Sequence, residues 1–456
     1  MKDLTQGSVM RNLIAMAVPI AAGMALQTLY FMVDLYFVAK LGDAAIAGVS
    51  AAGNAMFIVF ALTQMLGVGA VALISQAVGR NDREDANHVF NQSIALAAVC
   101  AGVTLVGGYG LASAYMTTLA ADAATTAAGV TFLYWFVPGL ALQFPMIVMG
   151  SALRGTGIVK PTMLVQVASV LLNTVLAPVF IAGWGTGHPM GVAGAALASS
   201  VATAAGVALL TVYFVRLEQY VRFDRAQLKP RLATWTRMIN VGLPAGGEFA
   251  LLAIYVAAIY WIIRDFGAAA QAGFGIGMRV TQMMFLPAMA LAFAAAPMAG
   301  QNFGAQLPAR VRETFRATVV ATSVVMLGLT LVCQWESAVL VGGFTKEPAV
   351  LDFGGDYLRI ISWNFIAVGI VFSASSMFQG MGNTWPSLAS SASRLVLFLV
   401  PAIWLSTQPG LRLVHVWYLS VASNAVQAVI SLLLVQREFR LRLGPKGGAP
   451  VAAPAA

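Results

Sequence analysis

Twelve apolar stretches, each long enough to cross a bilayer, restrict the fold of this chain more than any other feature. A transmembrane helix needs about 20 predominantly apolar residues. The stretches that meet this length cover residues 13–39, 46–73, 90–113, 129–152, 161–183, 191–215, 238–263, 269–298, 315–335, 354–377, 387–406 and 413–435. Only 9% of the 456 residues are charged, against about 25% in soluble domains. We therefore expect an all-α membrane protein with twelve transmembrane helices.

The basic residues indicate how these helices are oriented. If the N-terminus lies in the cytoplasm, most of the 26 Lys and Arg residues fall in cytoplasmic segments, as the positive-inside rule requires. The densest group is the loop from Arg216 to Arg237. The net charge of +9 therefore reflects membrane topology, and we expect no nucleic acid partner.

The chain repeats itself at one constant offset, which is the separation between Pro19 and Pro244. Further pairs at this offset are Gln76 and Gln301, Gly79 and Gly304, Gly155 and Gly380, and Pro161 and Pro386. Each half then holds six helices, and an even number brings both halves into the membrane in the same direction. The repeat predicts two pseudo-symmetric six-helix bundles related by an axis along the membrane normal.

The repeat also gives the expected domain boundaries. We expect an N-terminal lobe over residues 1–217 and a C-terminal lobe over residues 237–443. A basic cytoplasmic linker over residues 218–236 joins them, and residues 444–456, rich in Gly, Pro and Ala, form a disordered tail. The repeated glycines near positions 155 and 380 precede prolines, which indicates tight turns between helices.

Two carboxylates lie inside predicted spans, whereas the other Asp and Glu residues fall at helix ends or in loops. They are Asp34 in the first helix and Glu248 in the seventh. An ionisable residue at membrane depth is costly and usually functional, and burial favours its protonated form. Asp34 and Glu248 are therefore candidates to gain or lose a proton near neutral pH. Pro19, which removes a helix hydrogen bond, is the candidate hinge of the first helix, although a plain packing kink fits as well.

Polar residues near these carboxylates complete the candidate site. In the N-terminal lobe the expected polar network comprises Gln27, Tyr30, Tyr36, Asn54, Gln64, Asn173 and Ser199. In the C-terminal lobe the possible substrate contacts are Glu248, Tyr255, Arg279, Gln282, Met283 and Asn364. Alternatives stay open: Glu248 also suits a structural partner such as Arg237, and Arg279 and Arg394 suit either structural ion pairs or an anionic substrate group.

Nothing in the sequence favours catalysis. Three scattered histidines and two cysteines do not make a metal site, and no nucleophile–base constellation is apparent at membrane depth. We expect no enzyme activity, no metal and no cofactor.

Several local strings give the chain its resemblance to a known family. They are Pro19 with Val33-Asp34, Gln76-Ala-Val-Gly79, Arg154-Gly-Thr-Gly157 with Pro161, Gly191 to Ser199, Gly242-Leu-Pro-Ala-Gly-Gly-Glu248 and Gln301-Asn-Phe-Gly304. With the twelve helices and the repeat, they make the chain resemble the multidrug and toxic compound extrusion (MATE) family from Pro19 to about Gln436.

The resemblance implies a secondary active multidrug efflux antiporter. Such a protein exports organic, often cationic, compounds in exchange for protons by alternating access. It implies that Asp34 couples proton binding to bending of the first helix at Pro19. We also expect a bacterial inner (cytoplasmic) membrane location with both termini in the cytoplasm, small-molecule drugs or toxic compounds and the lipid bilayer as partners, and a monomer.

One departure from the family bears on the coupling ion. Relatives that bind sodium use the Asp of helix 1 with an Asn and an Asp on helix 5 and a Thr on helix 6. Here Asn173 keeps the first helix-5 position and Ser199 stands at the Thr position, but Ala177 replaces the Asp. Na⁺ prefers several oxygen ligands, so H⁺ is the expected coupling ion and Na⁺ the alternative. Leu252 and Val368 stand where the NorM-like branch has acidic residues, so we expect DinF-like character.

Rival functions remain at this point. A lipid-linked precursor flippase of the same superfamily would need a more basic cavity than Arg279 and Arg394 provide. A major-facilitator transporter also has twelve helices in parallel halves, but its Gly-rich basic loop between helices 2 and 3 is missing here.

Overall fold

The chain is helical throughout the part that the structure describes. The computed structural model describes residues 1–119 and 122–444, without the side chains of residues 30–35 and 43, and has no β-strand within those ranges. Its helices are α1 Val9–Ala39, α2 Asp43–Gly79, α3 Arg83–Leu119, α4 Ala123–Gly155, α5 Lys160–Ala182, α6 Val192–Arg216, α7 Leu232–Ile263, α8 Ala268–Gly304, α9 Pro308–Gly342, α10 Pro348–Ile361, α11 Asn364–Met381, α12 Trp385–Ser406 and α13 Leu413–Arg442. Twelve helical spans, all but α10, are long and apolar enough to cross a membrane. The predicted tail, apart from its first residue Gly444, lies outside the described residues.

The helices confirm the internal repeat. Helices α2 and α8 begin at residues 43 and 268, α3 and α9 at 83 and 308, α4 and α10 at 123 and 348, and α5 and α12 at 160 and 385. Each pair has the same offset as Pro19 and Pro244. An uncommon backbone conformation also occurs at the same position in both halves. Asn81 and Gln306, which are equivalent in the repeat, both have positive φ, at 59° and 57°.

The predicted tenth span is broken, which corrects the expectation of one helix over residues 354–377. Helix α10 ends at Ile361 and α11 begins at Asn364. Side chains of α9 satisfy the backbone at the break: Thr330 Oγ1 donates to the carbonyl of Ser362 over 3.0 Å, and Gln334 Nε2 donates to the carbonyl of Arg359 over 2.6 Å. Broken helices are tolerated in membranes where such partners exist.

The chain forms two compact units whose boundaries fall inside two helices. Unit 1 comprises Met1–Asp3 and Ala22–Gly246, and unit 2 comprises Leu4–Ala21 and the chain from Gly247 onward. The units differ from the sequence halves because the start of α1 belongs to unit 2 and the start of α7 to unit 1. The chain passes from unit 2 to unit 1 after Ala21 and returns to unit 2 after Gly246. These two positions are equivalent in the repeat, and each lies two residues after a proline, Pro19 or Pro244.

The basic linker is shorter than predicted and is docked on unit 1. Because α7 begins at Leu232, residues 232–236 are helical, not linker. Amide side chains of α3 hold the linker backbone. Asn91 donates to the carbonyl of Arg222 and accepts from the N–H of Asp224, each over 2.9 Å. Gln92 Nε2 donates to the carbonyl of Lys229. The segment is therefore a fixed part of unit 1.

Both predicted turns with repeated glycines are present. Gly157 and Gly382 have positive φ, at 80° and 75°, a conformation that glycine adopts without steric cost. Gly155 and Gly380 are needed for a different reason, namely that a larger residue would not fit. A Cβ on Gly155 would lie 2.9 Å from Ile74, and a Cβ on Gly380 would lie 2.6 Å from the carbonyl oxygen of Ala296. These glycines let α4 approach α2, and α11 approach α8.

Candidate functional site

Hydrogen-bonded amides connect three helices of unit 1. Gln166 Nε2 on α5 donates to Gln27 Oε1 on α1 over 3.1 Å. About two turns further along α5, Asn173 Nδ2 donates to Ser199 Oγ on α6, also over 3.1 Å. Asn173 and Ser199 are 1% and 2% exposed. The structure therefore brings together three residues of the predicted network, Gln27, Asn173 and Ser199, as two pairs on one face of α5.

Asp34 and Tyr30 fall on α1, but their side chains lie outside the described part of the structure. The backbone there is helical, and the same helix contains Pro19, which is half-buried. The helix is continuous through Pro19 from Val9 to Ala39. The roles of these residues in coupling stay predictions.

The remaining predicted residues of the N-terminal lobe occupy less buried positions. Tyr36 is 59% exposed, and the Lys40 ammonium lies 4.4 Å from the centroid of its ring. Asn54 is exposed and Gln64 is half-buried, both on α2.

Polar and charged side chains of α7 and α12 meet at two levels in unit 2. Glu248 contacts the hydroxyl of Ser387, and Ser387 Oγ lies 3.0 Å from Ser375 Oγ on α11. Two turns further along both helices, the guanidinium carbon of Arg394 lies 4.3 Å from the centroid of the Tyr255 ring. Glu248, Tyr255 and Arg394 are all half-buried. We call this arrangement the α7–α12 groove.

The other predicted residues of the C-terminal lobe are spread over α8 and α11. Arg279 and Gln282 are exposed, and Met283 is half-buried. Asn364 is 4% exposed and is the first residue of α11, at the break that follows α10.

Metal-binding residues are sparse in the described chain. Within residues 1–119 and 122–444, no group of three or more His, Cys, Asp or Glu side chains could hold a metal ion. Cys100 and Cys333 are free thiols.

The comparisons with known proteins agree with this architecture. The MatE family model matches the chain twice, over residues 19–179 and 244–404, and the two matches have the same offset as the paired helices. The chain belongs to the MatE family.

Two bacterial relatives and one solved structure are similar to this chain. A probable multidrug resistance protein, YpnP of Bacillus subtilis, is 29% identical over 395 residues, with 83% of this chain and 85% of the relative covered. The multidrug export protein MepA of Staphylococcus aureus is 26% identical, with 94% and 93% covered. A solved MOP superfamily transporter from Pyrococcus furiosus has a TM-score of 0.90 at 22% identity, with 96% of this chain and 98% of that chain covered.

Sequence reasoning missed several contacts of this MatE protein. Gln166 was not a candidate, although it lies seven residues before Asn173 and therefore shares its helix face. Ser387 also lies seven residues before Arg394, and Glu248 seven before Tyr255. Helical spacing of polar residues was the available signal. The spacing of polar residues along one helix does not predict that α7 lies beside α12.

Proposed function

We propose that this protein is a secondary active multidrug exporter that exchanges organic, often cationic, compounds for protons by alternating access. Membership of the MatE family, shown by the two matches of the family model, carries the proposal. The names of the two bacterial relatives, a probable multidrug resistance protein and a multidrug export protein, support multidrug export.

Proton coupling is supported by the composition of the unit 1 network. Asn173 and Ser199 are joined by a hydrogen bond, but the next turn of α5 carries Ala177, which is fully buried. A sodium ion prefers several oxygen ligands, carboxylates among them, and here α5 contributes no carboxylate. A proton needs only Asp34.

Protonation of Asp34 would drive transport only if the proton binds the two conformations of the transporter differently. A shift of the population from 1:99 to 99:1 requires a preference of about 10⁴-fold. The charged form of Asp34 gives a cationic substrate a counter-ion at membrane depth. Proton and substrate then compete for Asp34, so binding of a proton releases the substrate.

We further propose that the protein is a monomer in a bacterial inner membrane, with both termini in the cytoplasm.

Efflux from proteoliposomes tests the proposal. With an inward proton gradient, we expect the wild type to export the cationic dye rhodamine 123 whether or not sodium is present. We expect Asp34→Asn to abolish this export. The control variant Glu313→Gln, which removes an exposed carboxylate outside the candidate site, should retain it. Sodium-driven export that persists in Asp34→Asn would refute the coupling assignment.

A reciprocal variant separates the two coupling ions. Ala177→Asp restores the helix-5 carboxylate of the sodium-binding relatives. We expect this variant to gain sodium-dependent export, and to show a higher thermal unfolding midpoint in NaCl than in KCl, because a ligand that binds the folded state stabilises it. A wild type that already shows both effects would contradict proton coupling.

A further inference from the structure

Arg394 is a cation at membrane depth without a hydrogen-bonded partner for its Nε atom. It lies near the middle of the α12 span, and Nε is buried with no acceptor among the described residues. Burying a charge is costly unless it is paired, and ionisable residues inside membranes are usually functional. The free-energy cost of placing the charge of Arg394 at membrane depth therefore requires an explanation.

The ring beneath Arg394 is held in place from two directions. Tyr255 Oη lies 2.7 Å from Ser420 Oγ on α13, and the ring packs edge-on against Phe398, with centroids 4.8 Å apart. The guanidinium carbon lies 4.3 Å from the ring centroid, within the range of a cation–π contact. Tyr255 thus supports one face of the guanidinium and offers it no carboxylate.

Glu248 does not neutralise Arg394. Glu248 meets α12 at Ser387, and Tyr255 meets it at Arg394, so the two contacts are seven residues apart on both helices. At 1.5 Å per residue this places them about 10 Å apart along the groove. The ion pairs of the described residues join Arg80 to Asp85, Arg264 to Asp265 and Arg442 to Glu438, and none includes Arg394.

The charges of the α7–α12 groove belong to the second half alone. At the positions of the first half that the repeat makes equivalent, Gly23 replaces Glu248 and Ser169 replaces Arg394, whereas Tyr30 matches Tyr255. Architecture common to both halves therefore does not require either charge. Among the described residues the guanidinium has a supporting ring and no acceptor for its Nε atom, so we look for its partner in a bound compound.

We propose that Arg394, supported by Tyr255, binds the carboxylate or phosphate group of a transported compound in the α7–α12 groove. This inference deepens the proposed function, on which it rests, because it assigns to the exporter substrates that carry an acidic group. A guanidinium stacked on a ring keeps its N–H edge available for two parallel hydrogen bonds to an oxyanion.

Binding of two dyes that differ only at one carboxyl group tests the inference. Rhodamine 110 has a free carboxylic acid, which rhodamine 123 carries as a methyl ester. By fluorescence anisotropy on the purified full chain, we expect Arg394→Gln to raise the Kd for rhodamine 110 about tenfold or more, since hydrogen bonds between charged groups are the strong ones. We expect the Kd for rhodamine 123 to change less than about twofold in the same variant, because the ester carries no charge for Arg394 to pair with.

Matched variants separate recognition from folding. Arg359→Gln removes an exposed cation of the same unit that lies outside the predicted substrate contacts, and should change neither Kd. Arg394→Lys keeps the charge but not the paired donors, so it should weaken rhodamine 110 binding less than Arg394→Gln. Equal weakening of both dyes by Arg394→Gln, or of neither, would overturn the inference, as would a wild type that binds rhodamine 123 but not rhodamine 110.

Transport assays keep this test distinct from that of the proposed function. If the wild type discriminates the dyes through Arg394 but exports neither under a proton gradient, the antiport proposal fails and the acidic-group site stands. If it exports rhodamine 123 and Arg394→Gln does not alter dye discrimination, the antiport proposal stands and the acidic-group site fails.

Discussion

A methyl group on Gly242 would lie 1.9 Å from the carbonyl oxygen of Met65, so α7 and α2 touch backbone to backbone inside unit 1. The same close approach continues along both helices. A Cβ on Gly69 would lie 2.5 Å from the carbonyl oxygen of Met238, and one on Gly246 would lie 3.0 Å from that of Ala61. Small residues permit such approaches between membrane helices. These glycines attach the first four turns of α7 to unit 1.

Gly242→Ala should destabilise the protein. The methyl group meets backbone, which cannot rotate away, so the helices must separate. Overpacking of this kind costs about 1–3 kcal/mol. The thermal unfolding midpoint in detergent micelles measures the effect. Gly53→Ala, also in an apolar helix but with no atom within 4 Å of the added Cβ, should leave the midpoint unchanged or raise it, and equal losses in the two variants would contradict the close contact.

Asn91→Ala should release the linker from α3. The substitution removes one donor and one acceptor that hold the backbone at Arg222 and Asp224, and Asn91 is fully buried. The two backbone groups are partly buried, so the loss of each hydrogen bond costs about 0.5–1.5 kcal/mol. Limited trypsin digestion should then cleave at Arg222 or Arg225 about tenfold faster or more. Gln408→Ala, in an exposed loop, is the control, and unchanged cleavage in Asn91→Ala would show that the linker is held elsewhere.

Gln306→Gly should stabilise the turn after α8 more than Asn81→Gly stabilises the turn after α2. Both residues have positive φ, at 57° and 59°. That conformation costs most L-residues about 1–2 kcal/mol, whereas Asn tolerates it. Part of the gain is lost to the greater freedom of glycine in the unfolded chain, so we expect about 0.5–1 kcal/mol at Gln306. Unfolding midpoints of the two variants give the comparison, and a loss of stability in both would contradict the assigned backbone.

Stability should depend on the charge of Asp122 at the start of α4. Its carboxylate accepts the N–H of Thr125 over 2.7 Å, and this hydrogen bond lowers the pKa of Asp122 from its usual value of 3.8. A lowered pKa in the folded state stabilises above the unfolded value, and this contribution is lost as the pH falls through the folded value.

Asp122→Asn is the matched variant, because Asn is also a good N-cap but carries no charge. We expect it to be less stable than the wild type at pH 6, with the difference shrinking as the pH falls below 3.8. Thermal midpoints between pH 6 and pH 3 measure this. A difference that is independent of pH would show that the charge contributes nothing.

The sequence predicted the repeat and the helix number because both depend on local hydrophobicity and on identities at a fixed offset. It did not predict the break after Ile361. The first half carries Pro138 at the position of Trp363, yet α4 continues through it. Thr330 and Gln334 on α9 donate hydrogen bonds to the backbone carbonyl groups at the break. Such tertiary contacts cannot be predicted from the sequence of the tenth span alone.

The candidate site was predictable in its residue types and not in its pairs. Asn173 and Ser199 were expected in one network, and they form a hydrogen bond. The docked linker was not expected, because a basic loop is usually solvated and the amides of α3 that hold it lay inside a presumed span. Arg394 was visible as a charge at membrane depth, but its support by Tyr255 depends on the packing of α12 against α7.

The crossing of the chain between units within α1 and α7 sets an order of events during synthesis. Residues 4–21 leave the ribosome first, yet the rest of unit 2 begins at Gly247. The first apolar segment must therefore wait in the bilayer while more than two hundred further residues are made. Unit 1, in turn, is complete only when translation has passed Gly246. A nascent chain released at the linker would thus hold an unfinished first unit and an early segment without its neighbours, so truncated products of this kind are natural substrates for membrane quality control.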